Sequence, residues 1–136
     1  MIDDVSCVLD ASAFLALLNE EPGAETVEAA LNRGAAVSTV NLSEILGKLA
    51  ESGEDPADIL AGLRRQGLVG PGLAIEPLTE EDAVVVAQLR EGTKAAGLSL
   101  GDRACLALAR RLGVPAMTAD RAWARLKVGV AVQTIR

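Results

Sequence analysis

The sequence predicts one α/β domain, with a central, mostly parallel sheet of about four to five short strands flanked by helices. Short apolar runs alternate with amphipathic helical stretches along the whole chain, the pattern of a parallel sheet covered on both faces. The 136 residues, half of them hydrophobic, suit a single core of ordinary size. No repeat, low-complexity stretch or linker divides them. Residues 1–136 therefore read as one domain.

Each element has its own signal. Val5-Ser6-Cys7-Val8-Leu9 is a β-rich run that stops at Asp10. Residues 13–18 form a helix that Glu21-Pro22-Gly23 breaks. Residues 24–32 form a second helix with Val27, Ala30 and Leu31 on one stripe, ended by Gly34. Ala35-Ala36-Val37-Ser38 is a short buried strand. A helix opening at Asn41 and running to about Glu51 puts Leu42, Ile45, Leu46 and Leu49 on one face. Pro56 suits the first position of the next helix, which reaches about Gln66. Gly67, Gly70, Pro71 and Gly72 mark a loop before the strand Leu73-Ala74-Ile75-Glu76.

Thr79 with Asp82 has capping-box form and opens a helix running to Gly97. After the connector Leu98-Ser99-Leu100-Gly101, apolar residues recur at helical spacing from Leu100 through Ala104, Cys105 and Leu108 to Leu112, and Gly113 ends the run. The strand Val114-Pro115-Ala116-Met117-Thr118, a brief helix over 121–126 and a strand over 130–135 complete the chain.

Composition excludes several chemistries. There is no histidine and no tyrosine, and only one Trp and one Phe. Without His there is no Ser-His-Asp or Cys-His catalysis, no His-ligated zinc and no imidazole proton shuttle. So few aromatics rule out a platform of stacked bases. Thirteen basic against nineteen acidic residues leave a net charge of −6, which argues against grip on phosphate by a broad basic surface. Cys7 and Cys105 lie far apart without CxxC pairing and read as buried free thiols. No apolar run approaches the roughly 18 residues of a membrane helix. Met1-Ile2-Asp3-Asp4 is acidic where a signal peptide is basic, so a soluble, cytoplasmic protein is expected.

Four acids carry the chemistry. Asp10 follows the first strand, Glu44 lies in the first turn of the helix after the second, Asp102 begins a helix, and Asp120 follows the 114–118 strand. In an open parallel sheet the strand C-termini share one edge, where ligands bind. Three of these acids therefore converge, and Asp102 joins them if its helix starts at that edge.

Each acid also has a structural reading. Asp10 and Asp120 suit helix caps, and Ser99-x-x-Asp102 and Asn41-x-x-Glu44 suit capping boxes. Glu44 is also spaced to pair with Lys48. A carboxylate cluster without basic partners needs a cation or raised pKa values. Oxygen-only ligands favour Mg2+ or Mn2+ over Zn2+, the usual equipment for phosphodiester chemistry.

At these residues the chain resembles a PIN-domain ribonuclease of the VapC toxin type. The matching segments are Val8-Leu9-Asp10-Ala11-Ser12-Ala13, Asn41-Leu42-Ser43-Glu44, Leu98-Ser99-Leu100-Gly101-Asp102-Arg103-Ala104 and Thr118-Ala119-Asp120-Arg121-Ala122-Trp123. The resemblance implies a PIN-like domain and a Mg2+- or Mn2+-dependent endoribonuclease, the toxin of a type II toxin–antitoxin pair. Asp10, Asp102 and Asp120 are then expected to hold the metal directly or through water. Glu44 completes the set and helps orient the attacking water. Ser12 and Thr118 support those carboxylates or the scissile phosphate. Water attack leaves a 5′-phosphate and a 3′-hydroxyl.

The resemblance also implies a homodimer and an antitoxin whose C-terminal segment covers the active-site groove and which alone contacts operator DNA. Arg103 and Arg121, each directly after a site acid, are candidate RNA contacts or solvated surface charges. Trp123 is expected as a core or interface anchor and Phe14 as a core residue.

Four rivals remain to be weighed. A haloacid-dehalogenase-type phosphatase needs a second acid where Ser12 stands. A receiver domain would use an acidic pair such as Asp3-Asp4, but no middle strand ends in the required Asp. A non-catalytic PIN-like binding module and a PIN nuclease of RNA maturation without an antitoxin share the fold, and only intact acids speak against the first.

Overall fold

The computed structural model describes residues 4–136, so Met1-Ile2-Asp3 of the acidic start lies outside the described residues. Three-residue β1 (Cys7–Leu9) leads into α1 (Ala11–Leu18) and α2 (Ala24–Arg33). Then come β2 (Ala35–Ser38), α3 (Thr39–Leu49), a 3-10 turn (Ala50–Ser52) and α4 (Pro56–Arg65). β3 (Leu73–Glu76), α5 (Glu80–Thr93) and α6 (Leu100–Leu112) follow, then β4 (Ala116–Thr118), a 3-10 turn (Arg121–Arg125) and β5 (Val132–Thr134). The five strands form one sheet in the order β3-β2-β1-β4-β5. Every pairing is parallel.

That order has a switch point. The chain steps from β1 through β2 to β3 on one side, then crosses to lay β4 on the other side of β1. The crevice beside the strand C-termini at such a point is where open α/β sheets bind ligands.

Period-two alternation divides the core. Cys7, Leu9, Ala35, Val37 and Met117 pack with Phe14, Val27, Ile45, Ile59 and Leu63. Val8, Ala36 and Ala116 face the other way, onto Cys105, Leu106, Leu108 and Trp123. Successive strand residues thus serve opposite layers, as the pleat dictates. Trp123 and Phe14 are core residues, and both cysteines are buried free thiols.

Several boundaries differ from the sequence reading: α1 begins earlier, at Ala11, β1, β4 and β5 are trimmed to three residues each, and α3 and α5 shift for definite reasons. α3 begins at Thr39, because the Ser38 hydroxyl at the end of β2 accepts the Val40 N–H and caps the helix. Asn41 is therefore inside α3, Asn41-x-x-Glu44 is not a capping box, and Glu44 sits beyond the first turn. α5 ends at Thr93, followed by a closing turn. Gly97 N–H donates to the Lys94 carbonyl and Leu98 N–H to the Thr93 carbonyl, with Gly97 at φ +72.

α5 and α6 are fastened by a charge pair. Asp82 completes the Thr79 capping box. Arg111 donates from Nε to Asp82 Oδ1 at 3.0 Å and from Nη2 to Oδ2 at 3.1 Å. Burial opposes ionisation of Asp82, but Arg111 and the Thr79 bonds outweigh it and hold its carboxyl below the usual value. A carboxyl whose pKa falls on folding stabilises the fold above its unfolded pKa, and this contribution is lost as pH drops through the folded one. Asp82→Asn should lower unfolding free energy by about 1–3 kcal/mol near neutrality. In urea titrations the gap to wild type should shrink as pH falls below about 4.

Candidate active site

The end of β1 is built around a buried carboxylate. Asp10 is 3% exposed and caps α1 by accepting the Ala13 N–H through Oδ1 at 2.8 Å. The Ser12 hydroxyl donates to Asp10, 2.7 Å from Oδ1 and 2.9 Å from Oδ2, and accepts the Ala119 N–H. From β4 the Thr118 hydroxyl donates to Asp10 Oδ2 at 2.6 Å and accepts the Asp120 N–H at 3.0 Å. Two hydroxyls thus link the first strand's carboxylate to the backbone after the fourth. Burial raises the Asp10 carboxyl pKa most, and the negative charge of Asp102 adds to that; Thr118, Ala13 and Ser12 pull the other way.

The other three acids each spend one oxygen on a local bond. Asp102 Oδ2 accepts the Ser99 N–H in the capping box of α6. Asp120 Oδ1 accepts the Ala122 N–H and caps the following 3-10 turn. Glu44 Oε1 accepts from Asn41 Nδ2 at 2.9 Å. Among the described residues the second oxygen of each has no hydrogen-bond donor. The capping reading and the site reading therefore coexist in the same side chains. Glu44 does not pair with Lys48, which instead meets Glu51 at 3.4 Å.

The four acids fall into two linked pairs, Asp10 with Asp120 through Thr118 and Glu44 with the residue before Asp102 through Asn41 and Gly101. Asp10, Asp102 and Glu44 all act on the buried Cys105 thiol, whose pKa is raised by burial first and by their negative charge after it. Asp120 is joined through Thr118. None of the ion pairs among the described residues involves these acids. With the side chains as they stand, no three Asp, Glu or Cys residues among those described are spaced to grip one ion. The donor chemistry nevertheless fits a hard divalent cation: oxygen only, like-charged, without basic partners, and with an unused oxygen on every acid but Asp10.

Two residues here escaped the sequence reading. Asn41 is fully buried, and its amide donates to the Gly101 carbonyl at 3.0 Å as well as to Glu44. Gly101, a connector residue by sequence alone, belongs to α6 and lies against the Glu44 carboxylate. The available signal was an amide three residues before Glu44 on an otherwise apolar stretch. Of the candidate RNA contacts, Arg103 donates from Nη1 to the Val86 carbonyl, and Arg121 from Nε to the Arg136 carbonyl. Each guanidinium has five N–H groups, so others remain.

Comparison with known proteins fits this arrangement. The PIN domain family matches residues 7–129. The chain belongs to the PIN-domain family. No curated protein matches the sequence at a significant level. Among solved structures, a toxin–antitoxin complex from Klebsiella pneumoniae superposes with a TM-score of 0.72 at 19% identity, covering 96% of this chain and 98% of that one. A VapBC complex of Rickettsia felis bound to a promoter DNA fragment gives 0.71 at 15% identity, with coverage of 96% and 98%. A Mycobacterium tuberculosis VapC toxin described as cleaving the sarcin–ricin loop gives 0.66 at 18% identity, with coverage of 90% and 98%. This PIN domain thus shares its fold with toxin–antitoxin proteins across nearly its whole length.

The hydroxyl bridge makes a stability prediction. Thr118→Val removes a donor to Asp10 and strands the Asp120 N–H, so chemical denaturation should show a loss of about 1–3 kcal/mol. Thr118→Ser keeps both bonds and should recover part of it.

Proposed function

We propose that this PIN domain is a metal-dependent endoribonuclease, the toxin of a type II toxin–antitoxin pair. What supports this is that Thr118 ties Asp10 to Asp120 and Asn41 and Gly101 tie Glu44 to the start of α6 beside Asp102, with an unused oxygen on Glu44, Asp102 and Asp120 and no basic partner among the described residues. Likeness in fold to toxin–antitoxin proteins supports the toxin reading.

Asp10, Asp102 and Asp120 would hold Mg2+ or Mn2+. A bound divalent ion supplies Lewis-acid activation of water and offsets phosphate charge. The chain's own residues set the stage for it. Ser12 and Thr118 keep Asp10 oriented and oppose the rise in its pKa that burial causes. Glu44 is exposed at the edge, with Oε2 available to orient the attacking water and take its proton. No imidazole exists to do so. Arg103 and Arg121 directly follow two of the site acids in the chain, and their remaining N–H groups would meet RNA phosphates.

Partners follow from the same edge and its neighbour. An antitoxin segment would cover the acids, leaving operator DNA to the antitoxin. Beside them, Val40, Leu78, Val86 and Leu100 line a groove of about 450 Å3 with Arg90 and Arg103 at its margin. Leu100 in that groove is 59% exposed, an apolar surface that supports the homodimer. No helix among the described residues is long and apolar enough to cross a membrane.

The purified protein should cut structured RNA with Mg2+ or Mn2+ and stop on chelation, with Asp10→Asn lowering the rate at least about 100-fold. Cleavage that survives both EDTA and Asp10→Asn would refute the mechanism, and no cleavage of any RNA would favour a binding module. Sizing by light scattering should give a dimer, and the product of an adjacent reading frame, when co-expressed, should co-purify and block cleavage. A monomer that no neighbour binds would point to RNA maturation instead.

A further inference from the structure

Building on the metal-nuclease reading, we infer that Asn41 and Gly101 are positioning residues for Glu44, fixing its carboxylate against the start of α6, one residue before Asp102. Asn41 is fully buried. Its Nδ2 meets two acceptors, Glu44 Oε1 at 2.9 Å and the Gly101 carbonyl at 3.0 Å. Only the amide nitrogen can serve both, so the orientation of the side chain is settled by chemistry. Its Oδ1 then faces no donor among the described residues.

A buried amide oxygen without a donor works against folding. Leucine has the same branched shape and no polar atoms, so for packing alone it would serve α3 better. What the amide does achieve is to clamp one oxygen of an exposed, flexible glutamate. Gly101 makes the matching concession on the other helix. A Cβ there would collide with both Glu44 carboxylate oxygens, while glycine inside a helix is less favourable than alanine. Two residues unfavourable to their own helices thus face one carboxylate. That pattern marks a local rule broken for a site.

The clamp occupies Oε1 and leaves Oε2 without a donor among the described residues, directed by its partners rather than by solvent averaging. Held there, Glu44 would reach the ion through the water bound to it, and outer groups of this kind commonly change metal affinity by about 10- to 100-fold when removed.

Calorimetric titration of the full chain with Mn2+ alone, without RNA, tests this. Asn41→Leu and Gly101→Ala should each weaken Mn2+ binding about 10-fold while the thermal midpoint stays at or above that of wild type. In a Glu44→Ala background neither substitution should weaken binding further, because the group they position is gone. Wild-type affinity in both single variants overturns the inference, as do losses that persist undiminished beside Glu44→Ala. If Asn41→Leu does not fold, the Gly101→Ala pair decides alone, since alanine favours the helix. A wild-type protein that binds no Mn2+ overturns this inference together with the metal-nuclease reading. One that binds Mn2+ but cuts no RNA overturns the nuclease activity and leaves the positioning result standing.

Discussion

The Asp10 carboxylate is the constraint on which the rest of the site depends. A carboxylate buried at the junction of β1 and α1 is expensive unless donors surround it. Here the donors come from two separate elements: Ser12 and Ala13 from the first turn of α1, and Thr118 from β4. Because the same hydroxyls accept the N–H groups of Ala119 and Asp120, satisfying Asp10 also sets the path of the chain after β4. Stability and site geometry are therefore one interaction seen twice.

The remaining acids show how helix termini and a reaction site share side chains. A carboxylate has two oxygens, and capping needs one. Asp102 and Asp120 each give one oxygen to a helix or turn start, which fixes the side chain at modest entropic cost. The second oxygen stays available at the sheet edge. Glu44 has no terminus to cap and takes its anchor from Asn41 instead. The same logic explains why a net charge of −6 does not oppose an RNA substrate. Part of that charge is concentrated where a divalent cation would reverse its effect on phosphate.

Much of the fold was legible along the chain. Alternation of strand and helix signals, the Thr79 and Ser99 capping boxes and the helix-ending glycines all depend on neighbours within a few residues, and they recur in the structure. The start of α3 was not legible for a definite reason. Ser38 and Asn41 are both capping residue types, and local sequence does not rank them. Tertiary contact does, since the Asn41 amide is claimed by Gly101, which lies 60 positions away. The expected Glu44–Lys48 pair failed similarly, because Asn41 holds Glu44 while Lys48 reaches Glu51.

By itself the sequence determined the inventory: which acids exist, which end a strand, which open a helix, and the absence of any imidazole to replace them. It did so because strand period, helix period and caps are short-range properties. Only the tertiary structure decided that β4 lies beside β1, so that Thr118 reaches Asp10, and that α3 crosses to α6, so that Asn41 can bind Glu44 and Gly101 together. These meetings join segments about 60 to 110 residues apart. They are set by how both faces of the sheet pack at once, a condition that no local pattern contains.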